Sequence, residues 1–165
     1  MRVASDTGPI IHLARIGGLE LIKELFGEIS ITPEVKAEAL DEGEERCPDV
    51  ILIENAIGEG WIKVVKSDKG DRELTRFGLH NAEAGLIQHA LSEKIELVLL
   101  DDDAAREVAR TLGLKVKGSL GIVIEAFRKG RIPKKRALAM LDELMRVMHL
   151  SASVYKTAKD AIEGI

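Results

Sequence analysis

Short apolar runs alternate with amphipathic stretches along this chain, and the alternation predicts an α/β protein. Runs typical of buried strands are bounded by polar or turn-forming residues. They lie at residues 2–5, 28–31, 61–65, 95–100 and 115–117. Because parallel strands are joined by helices that cover both faces, we expect a parallel sheet between two helical layers.

Helical patterns fill the intervals between these strands. Thr32 followed by Pro33 is typical of an N-cap and a first helical position. The predicted helices begin after Pro9 and then span 19–26, 34–40, 50–57, 81–93, 103–112, 118–129 and 133–148, with Ser151 capping a last one. The polar segments 41–49 and 68–78 are predicted to be loops.

Acidic residues follow two of the predicted strands directly. The fourth strand ends in Asp101, Asp102 and Asp103, and the first runs into Asp6. In open parallel sheets, functional groups gather at the carboxyl edge of the strands. Because carboxylates so close together repel one another unless a cation compensates, this pattern predicts a hard-cation site and phosphate chemistry.

Two further acids, Glu38 and Glu83, stand on helices that flank these strands. Each has an ordinary alternative explanation, because helix starts favour acids such as Glu83 and solvated helix faces carry acids such as Glu38. Asp101–Asp103 is also compatible with a helix N-cap cluster. If the acids converge with Asp6, they form the oxygen-only site that Mg²⁺ and Mn²⁺ prefer. Mutual repulsion should then raise the pKa of at least one carboxyl group.

Composition narrows the class of protein. The chain has 165 residues, 45% of them hydrophobic and 32% charged, which suits one globular domain. No run approaches the roughly 20 apolar residues of a membrane span, and no signal pattern opens the chain, so we expect a cytoplasmic protein. The single cysteine, Cys47, excludes an internal disulfide and a cysteine-based metal cluster. The four histidines lack metal-ligand spacing and are interpreted as surface or helix-packing residues.

Charge is distributed unevenly along the chain. The net charge is −4, yet residues 104–136 contain ten basic residues and two acids, about +8 in total. A basic segment directly after an acidic strand end is suited to holding a polyanion near a metal. The alternative is an ordinary solvated surface.

Five motifs in order carry a resemblance to a known family. They are SDTGPIIHLA at 5–14, ITPEV at 31–35 followed by Glu38, AEAGLI at 82–87, LLDDDAAR at 99–106 and GSLG at 118–121. Together they resemble the motifs of PIN-domain nucleases, in particular a small prokaryotic branch related to VapC-type toxins. The resemblance spans nearly the whole chain.

The resemblance implies a single PIN-like domain over residues 1–165, with a three-layer α/β/α fold and a parallel sheet of about five strands in the order 3-2-1-4-5. The helices from about residue 133 would pack on this domain or extend it. It further implies an endoribonuclease that needs Mg²⁺ or Mn²⁺ and leaves a 5′-phosphate. A cognate antitoxin and a homodimer are the implied protein partners, and RNA is the implied substrate.

The resemblance also assigns roles to residues. Catalytic and metal-ligand roles fall on Asp6, Glu38, Glu83, Asp101 and Asp102. Supporting or substrate-binding roles fall on Thr7, Ser119 and Arg106, with Thr7 a candidate helix cap and Ser119 a candidate for orienting a carboxylate or a water. Asp103 is interpreted as a surface or capping residue. With aromatic residues at only 3% of the chain, we expect recognition through phosphates and RNA shape rather than base stacking.

Other classes fit less well. Haloacid-dehalogenase-like phosphatases carry Asp-x-Asp after the first strand, and Gly8 stands where the second acid is needed. Response receivers place two acids after the first strand, whereas this chain has one there and several later. The remaining alternative is a catalytically inactive PIN-like module that binds RNA or protein.

Overall fold

Five parallel strands form one sheet in the order β3-β2-β1-β4-β5, which confirms the expected order. The computed structural model describes residues 1–41, 47–66 and 72–164. The strands are β1 (Val3–Ser5), β2 (Ile29–Ile31), β3 (Ile62–Val64), β4 (Leu97–Leu99) and β5 (Lys115–Lys117). Four of the five are shorter than predicted, because only three residues of each apolar run belong to the strand ladder.

Helices connect the strands, as the alternation predicted. They are α1 (Thr7–Arg15), α2 (Glu20–Phe26), α3 (Pro33–Asp41), α4 (Pro48–Glu59), α5 (Asn81–Ser92), α6 (Asp103–Thr111), α7 (Ser119–Arg128), α8 (Lys134–Met148) and α9 (Ala152–Glu163). Helix α1 begins before Pro9 rather than after it, since first-turn amides have no intrahelical partner and proline is tolerated there. No helix in the described ranges is long and apolar enough to cross a membrane.

The two predicted loops are only partly described. Residues 42–46 and 67–71 lie outside the described residues. Helix α4 begins at Pro48, so the first loop ends earlier than expected, and a 3₁₀ helix (Arg72–Phe77) occupies most of the second. Two predicted caps are confirmed: Thr32 Oγ1 accepts from the Val35 amide at 3.2 Å, and Ser151 Oγ accepts from the Val154 amide at 3.2 Å.

Successive side chains of the buried strands point to opposite faces of the sheet, and this divides the core into two layers. Val3, Leu97 and Leu99 face one apolar cluster, whereas Ala4 and Val98 face the other. The first cluster includes core residues of α1, α7 and α8, and the second includes those of α5 and α6. The sheet therefore lies between two helical layers, which is the expected three-layer α/β/α arrangement.

Strand register brings the predicted acidic ends to one edge. Ser5 pairs with Leu99, and Leu99 pairs with Lys117. The Asp6 amide donates to the Leu99 carbonyl at 2.9 Å, so the chain leaves β1 directly beside the end of β4. The residues that follow β1, β4 and β5 consequently start from the same carboxyl edge of the sheet.

Candidate active site

All five predicted acids line one cavity of about 540 Å³ at this edge. Asp6 follows β1, Glu38 lies on α3, Glu83 lies in the first turn of α5, and Asp101 and Asp102 follow β4. The other lining residues are Thr7, Gly8, His12, His80 and Met148. The structure thus brings the five carboxylates together, while their roles as metal ligands or catalytic groups stay predictions.

Asp6 is the most perturbed of these groups. Its side chain is buried, and Oδ1 has no hydrogen-bond partner in the described part of the chain. Burial raises the pKa of Asp6 to about 7; the Thr7 amide lowers it, and the charges of Glu83 and Glu38 raise it further. The expected raised pKa is present, but desolvation rather than mutual repulsion is its main cause. A buried, unpartnered carboxylate oxygen is costly unless a ligand satisfies it.

Donors from neighbouring elements hold Glu38 and Glu83. Thr7 Oγ1 donates to Glu38 Oε2 at 2.7 Å, so the prediction that Thr7 caps α1 was wrong: the hydroxyl points to α3 instead. The His80 amide donates to Glu83 Oε2 at 3.3 Å, and His80 Nε2 lies 3.1 Å from Glu83 Oε1. Burial is also the largest cause of the raised pKa of Glu83, opposed by His80.

Asp101 is enclosed by protein donors. Its Oδ1 accepts from the Ser119 amide at 2.6 Å, and its Oδ2 accepts from Ser119 Oγ at 2.6 Å. His12 Nδ1 lies 2.6 Å from the same Oδ2. Gly118 permits this approach, since a Cβ there would lie 2.9 Å from Asp101 Oδ1. Both oxygens of Asp101 are therefore engaged, and Ser119 orients a carboxylate.

Asp102 and Asp103 together form the start of α6. Asp102 is the N-cap of α6, and its Oδ2 accepts from the Ala105 amide at 2.9 Å. Asp103 is exposed and is the first residue of α6, so of the two roles expected for it the surface role is confirmed, while the cap comes from Asp102. Asp102 serves the helix start and also lines the acidic cavity.

Two histidines, His12 and His80, line the cavity, although the sequence did not indicate a place for them there. His80 is exposed, as expected of a surface residue, but it also contacts Glu83, and His12 contacts Asp101, so both histidines have a role in the cavity that was not predicted. For His80 a signal existed, because it stands three residues before an acid at a helix start. For His12 none existed, because its partner is 89 residues away. His89 is buried beside β2, and its packing role is confirmed.

The donor set of the cavity suits a hard cation. It is made of carboxylate oxygens, and Asp6 Oδ1 is a buried oxygen without a protein donor. Across residues 1–41, 47–66 and 72–164, however, no three His, Cys, Asp or Glu side chains already form a metal cluster. The carboxylate oxygens of the cavity are of the type that Mg²⁺ or Mn²⁺ prefers, and Asp6 has the buried oxygen that lacks a protein partner.

Ser119 and Arg106, the other predicted supporting residues, do not line this cavity. Ser119 is buried behind Asp101, and Arg106 lines a neighbouring cavity together with Asp101 and Asp102. Ser119 therefore contacts the acidic cavity through Asp101.

Sequence comparison extends over nearly the whole chain. A family model described as a PIN domain matches residues 2–163, which include every strand and helix given above. No curated protein is significantly similar to the chain.

Proposed function

The chain belongs to the PIN-domain family, and on that premise we propose that it is an endoribonuclease that depends on Mg²⁺ or Mn²⁺. The family indicates a nuclease, that is, a hydrolase, and its members generally depend on divalent metals. The observation that supports the proposal most strongly is the cavity lined by five carboxylates, in which Asp6 Oδ1 is buried and unpartnered.

The side chains of the cavity have distinct tasks in this proposal. Asp6 would hold the metal, with Asp102, Glu38 and Glu83 as the nearby carboxylates available to it. A bound Mg²⁺ or Mn²⁺ supplies charge stabilisation and an activated water for displacement at phosphorus. Thr7 fixes Glu38, and His80 fixes Glu83, so both carboxylates are oriented before substrate arrives. Asp101, held by Ser119 and His12, is a positioning residue for the cavity wall.

RNA is the proposed substrate by the resemblance to VapC-type toxins, and the charge distribution along the chain suits a polyanion. The basic segment 104–136 begins in α6, directly after Asp101 and Asp102. Few aromatic side chains are available for base stacking, so phosphate contacts and RNA shape would provide most of the affinity.

The proposal extends to biological role. By the resemblance to VapC-type toxins, the protein would act as a homodimeric toxin that a cognate antitoxin silences. Expression of the chain should then arrest growth, and co-expression of the adjacent gene's product should relieve the arrest. Growth unaffected by active enzyme would contradict the toxin role while leaving the nuclease proposal intact.

A cleavage assay tests the nuclease proposal directly. Structured RNAs and matched DNAs are incubated with the protein in Mn²⁺, in Mg²⁺ and in EDTA, and the product ends are mapped. We expect RNA cleavage that leaves 5′-phosphates and is lost in EDTA and in Asp6→Asn. The matched control is Asp160→Asn, which neutralises an exposed acid on α9 and should cleave as the wild type does. RNA binding without any cleavage in Mn²⁺ would instead support the inactive binding module.

A further inference from the structure

His12 is held against Asp101 by one of its two ring nitrogens. Its Nδ1 lies 2.6 Å from Asp101 Oδ2, which also accepts from Ser119 Oγ at 2.6 Å. An ionised carboxylate only accepts hydrogen bonds, so Nδ1 is the donor of this contact and carries the hydrogen. In the neutral imidazole Nε2 is then left as an acceptor, and no group of the described residues hydrogen-bonds it.

The accessible edge of the His12 ring lies at the acidic cavity. His12 lines this cavity, and its side chain is 22% exposed, against 7% for Asp101. Gly8 lies one turn earlier on α1 and lines the same cavity. A Cβ on Gly8 would lie 3.6 Å from His12 Cε1, the ring atom between the two nitrogens. Because that Cβ would rest against the ring edge, glycine leaves the approach to Nε2 open.

Nε2 differs from the carboxylates of the cavity because it accepts a hydrogen bond without carrying a negative charge. A carboxylate repels a phosphate that comes near it, whereas a neutral imidazole does not. Along the backbone of a nucleic acid the phosphate oxygens only accept hydrogen bonds, and the ribose 2′-hydroxyl is the group that donates. Because the ribose is bonded directly to the phosphate, a group in the same cavity as the metal site is close to it. Nε2 is therefore matched to the 2′-hydroxyl of an RNA strand.

We propose that His12 Nε2 accepts a hydrogen bond from the 2′-hydroxyl of the ribose at the scissile phosphate and so selects RNA over DNA. Asp101 is a positioning residue for this contact, since it fixes the ring and the nitrogen that carries the hydrogen. The inference rests on the proposed function, because the scissile phosphate must lie in the same cavity as Asp6. A DNA strand leaves Nε2 without a partner, and a site built around a hydroxyl discriminates against a substrate that lacks it.

Small changes in the substrate test the contact. An RNA that the wild type cleaves in Mn²⁺ at pH 8 is compared with copies that carry one 2′-deoxy or one 2′-fluoro nucleotide at the scissile phosphate. Fluorine cannot donate a hydrogen bond, so both copies should lower kcat/KM about tenfold in the wild type. Cleavage that is insensitive to both changes, or that responds only to a change of base, would overturn the inference.

The variant His12→Asn separates the two ring nitrogens. The asparagine amide can still donate to Asp101, as Nδ1 does, but it offers no acceptor at the position of Nε2. It should lower kcat/KM for the RNA about tenfold, with less than a twofold further loss on the 2′-deoxy copy, as expected of direct partners. His80→Asn is the matched control, because His80 lines the same cavity and its Nε2 contacts Glu83. It should keep the tenfold loss on the 2′-deoxy copy. Undiminished 2′-deoxy discrimination in His12→Asn would overturn the inference.

Nitrogen NMR of the imidazole in the full chain tests the contact without cleavage and without relying on the fold of a variant. Ca²⁺ serves as the hard cation, and the probes are an RNA hairpin and a DNA hairpin of the same sequence at pH 8. The free protein should show the hydrogen on Nδ1 of His12, and only the RNA should shift the Nε2 resonance. A hydrogen on Nε2 in the free protein, an Nε2 resonance that RNA leaves unmoved, or equal shifts with both hairpins would contradict the contact.

Cleavage and NMR together separate the role of His12 from the proposed function. RNA cleavage with the same 2′-deoxy effect in the wild type and in His12→Asn refutes the role of His12 alone. An Nε2 resonance that moves with RNA and not with DNA, in a protein that cleaves neither in Mn²⁺, refutes the nuclease proposal alone.

Discussion

Asp6 and Asp101 follow neighbouring strands at the same edge of the sheet, yet the protein surrounds their carboxylates differently. Asp6 keeps a buried oxygen without any partner in the described residues, and its pKa is raised to about 7. Asp101 receives two hydrogen bonds from Ser119 and a contact from His12, all at 2.6 Å. An aspartate therefore lacks a partner for one buried oxygen at the end of β1, whereas the aspartate at the end of β4 is hydrogen-bonded through both oxygens.

The hydrogen-bond donors around each carboxylate separate the acids of this cluster. Carboxylate type and proximity alone made all five acids equivalent candidates for a metal. The donors around each carboxylate distinguish them, because a saturated carboxylate gains little from a cation and an unpartnered buried one gains much. By this criterion Asp6 is the principal ligand candidate, and Asp101 is a positioning residue.

The largest expected effect is on catalysis. Asp6→Asn should reduce kcat/KM for RNA by about 1,000-fold, since it removes the charge that holds the metal. Asp101→Asn should cost only about tenfold, as expected for a residue that orients the wall of the site. Both are measured on one RNA in Mn²⁺. Equal losses in the two variants would remove the distinction between the two strand ends.

The next effect is the pH dependence of stability without metal. Asp6 has a pKa of about 7 in the folded protein, against 3.8 for an exposed aspartate in an unfolded chain. The folded state thus binds a proton that the unfolded state lacks between these values. The stability that this proton confers is complete below pH 3.8 and is lost as pH rises through 7. The loss is on the order of 4 kcal/mol.

Urea unfolding in EDTA at pH 5 and pH 8 measures this effect. Asp6→Asn is the comparison, because it removes the titrating group and leaves the other groups in place. We expect the free energy of unfolding of the wild type to fall more between the two pH values than that of Asp6→Asn. Parallel pH dependences would show that Asp6 is ionised at both pH values.

At pH 8, Asp101→Asn should lower the free energy of unfolding, whereas Asp6→Asn should raise it. Asp101→Asn disrupts the bonds from Ser119 and His12 and should cost about 1–3 kcal/mol at pH 8. Asp6→Asn should stabilise the metal-free protein at the same pH, because no buried charge remains. Both are measured by urea unfolding in EDTA. A stabilised Asp101→Asn would mean that its hydrogen bonds do not offset its burial.

The smallest expected effect concerns one hydroxyl. Ser119→Ala removes the Oγ bond to Asp101 Oδ2 and keeps the amide bond to Oδ1, so it should cost about 1 kcal/mol. RNA cleavage should fall a few-fold because Asp101 is less firmly oriented. Ser92→Ala, which removes an exposed hydroxyl at the end of α5, is the control and should change neither quantity measurably. Similar losses in both variants would deny Ser119 a specific role.

Much of the fold followed from patterns that are local in sequence. The apolar runs located all five strands, and Thr32 with Pro33 located the start of α3. The first and last residues of the strands were predicted less accurately, because they depend on pairing with adjacent strands, which a single apolar run does not reveal. The convergence of Asp6 with Asp101 was predictable for a general reason: parallel strands end at one edge.

The differences among the acids were not predictable in this way. They depend on donors that packing brings from distant segments, such as His12, which is 89 residues from Asp101. The sequence also left open which of the acids at 101–103 caps α6, because only the backbone geometry decides among them.

The claim that Asp6 rather than Asp101 is the principal metal ligand is tested most directly by thermal unfolding. The effect of Mn²⁺ on Tm is measured at pH 8 in the wild type, Asp6→Asn and Asp101→Asn. A ligand that binds only the folded state raises Tm. We expect Mn²⁺ to raise Tm for the wild type and for Asp101→Asn, and to leave Tm of Asp6→Asn unchanged. An undiminished Mn²⁺ shift in Asp6→Asn, or its loss only in Asp101→Asn, would contradict it.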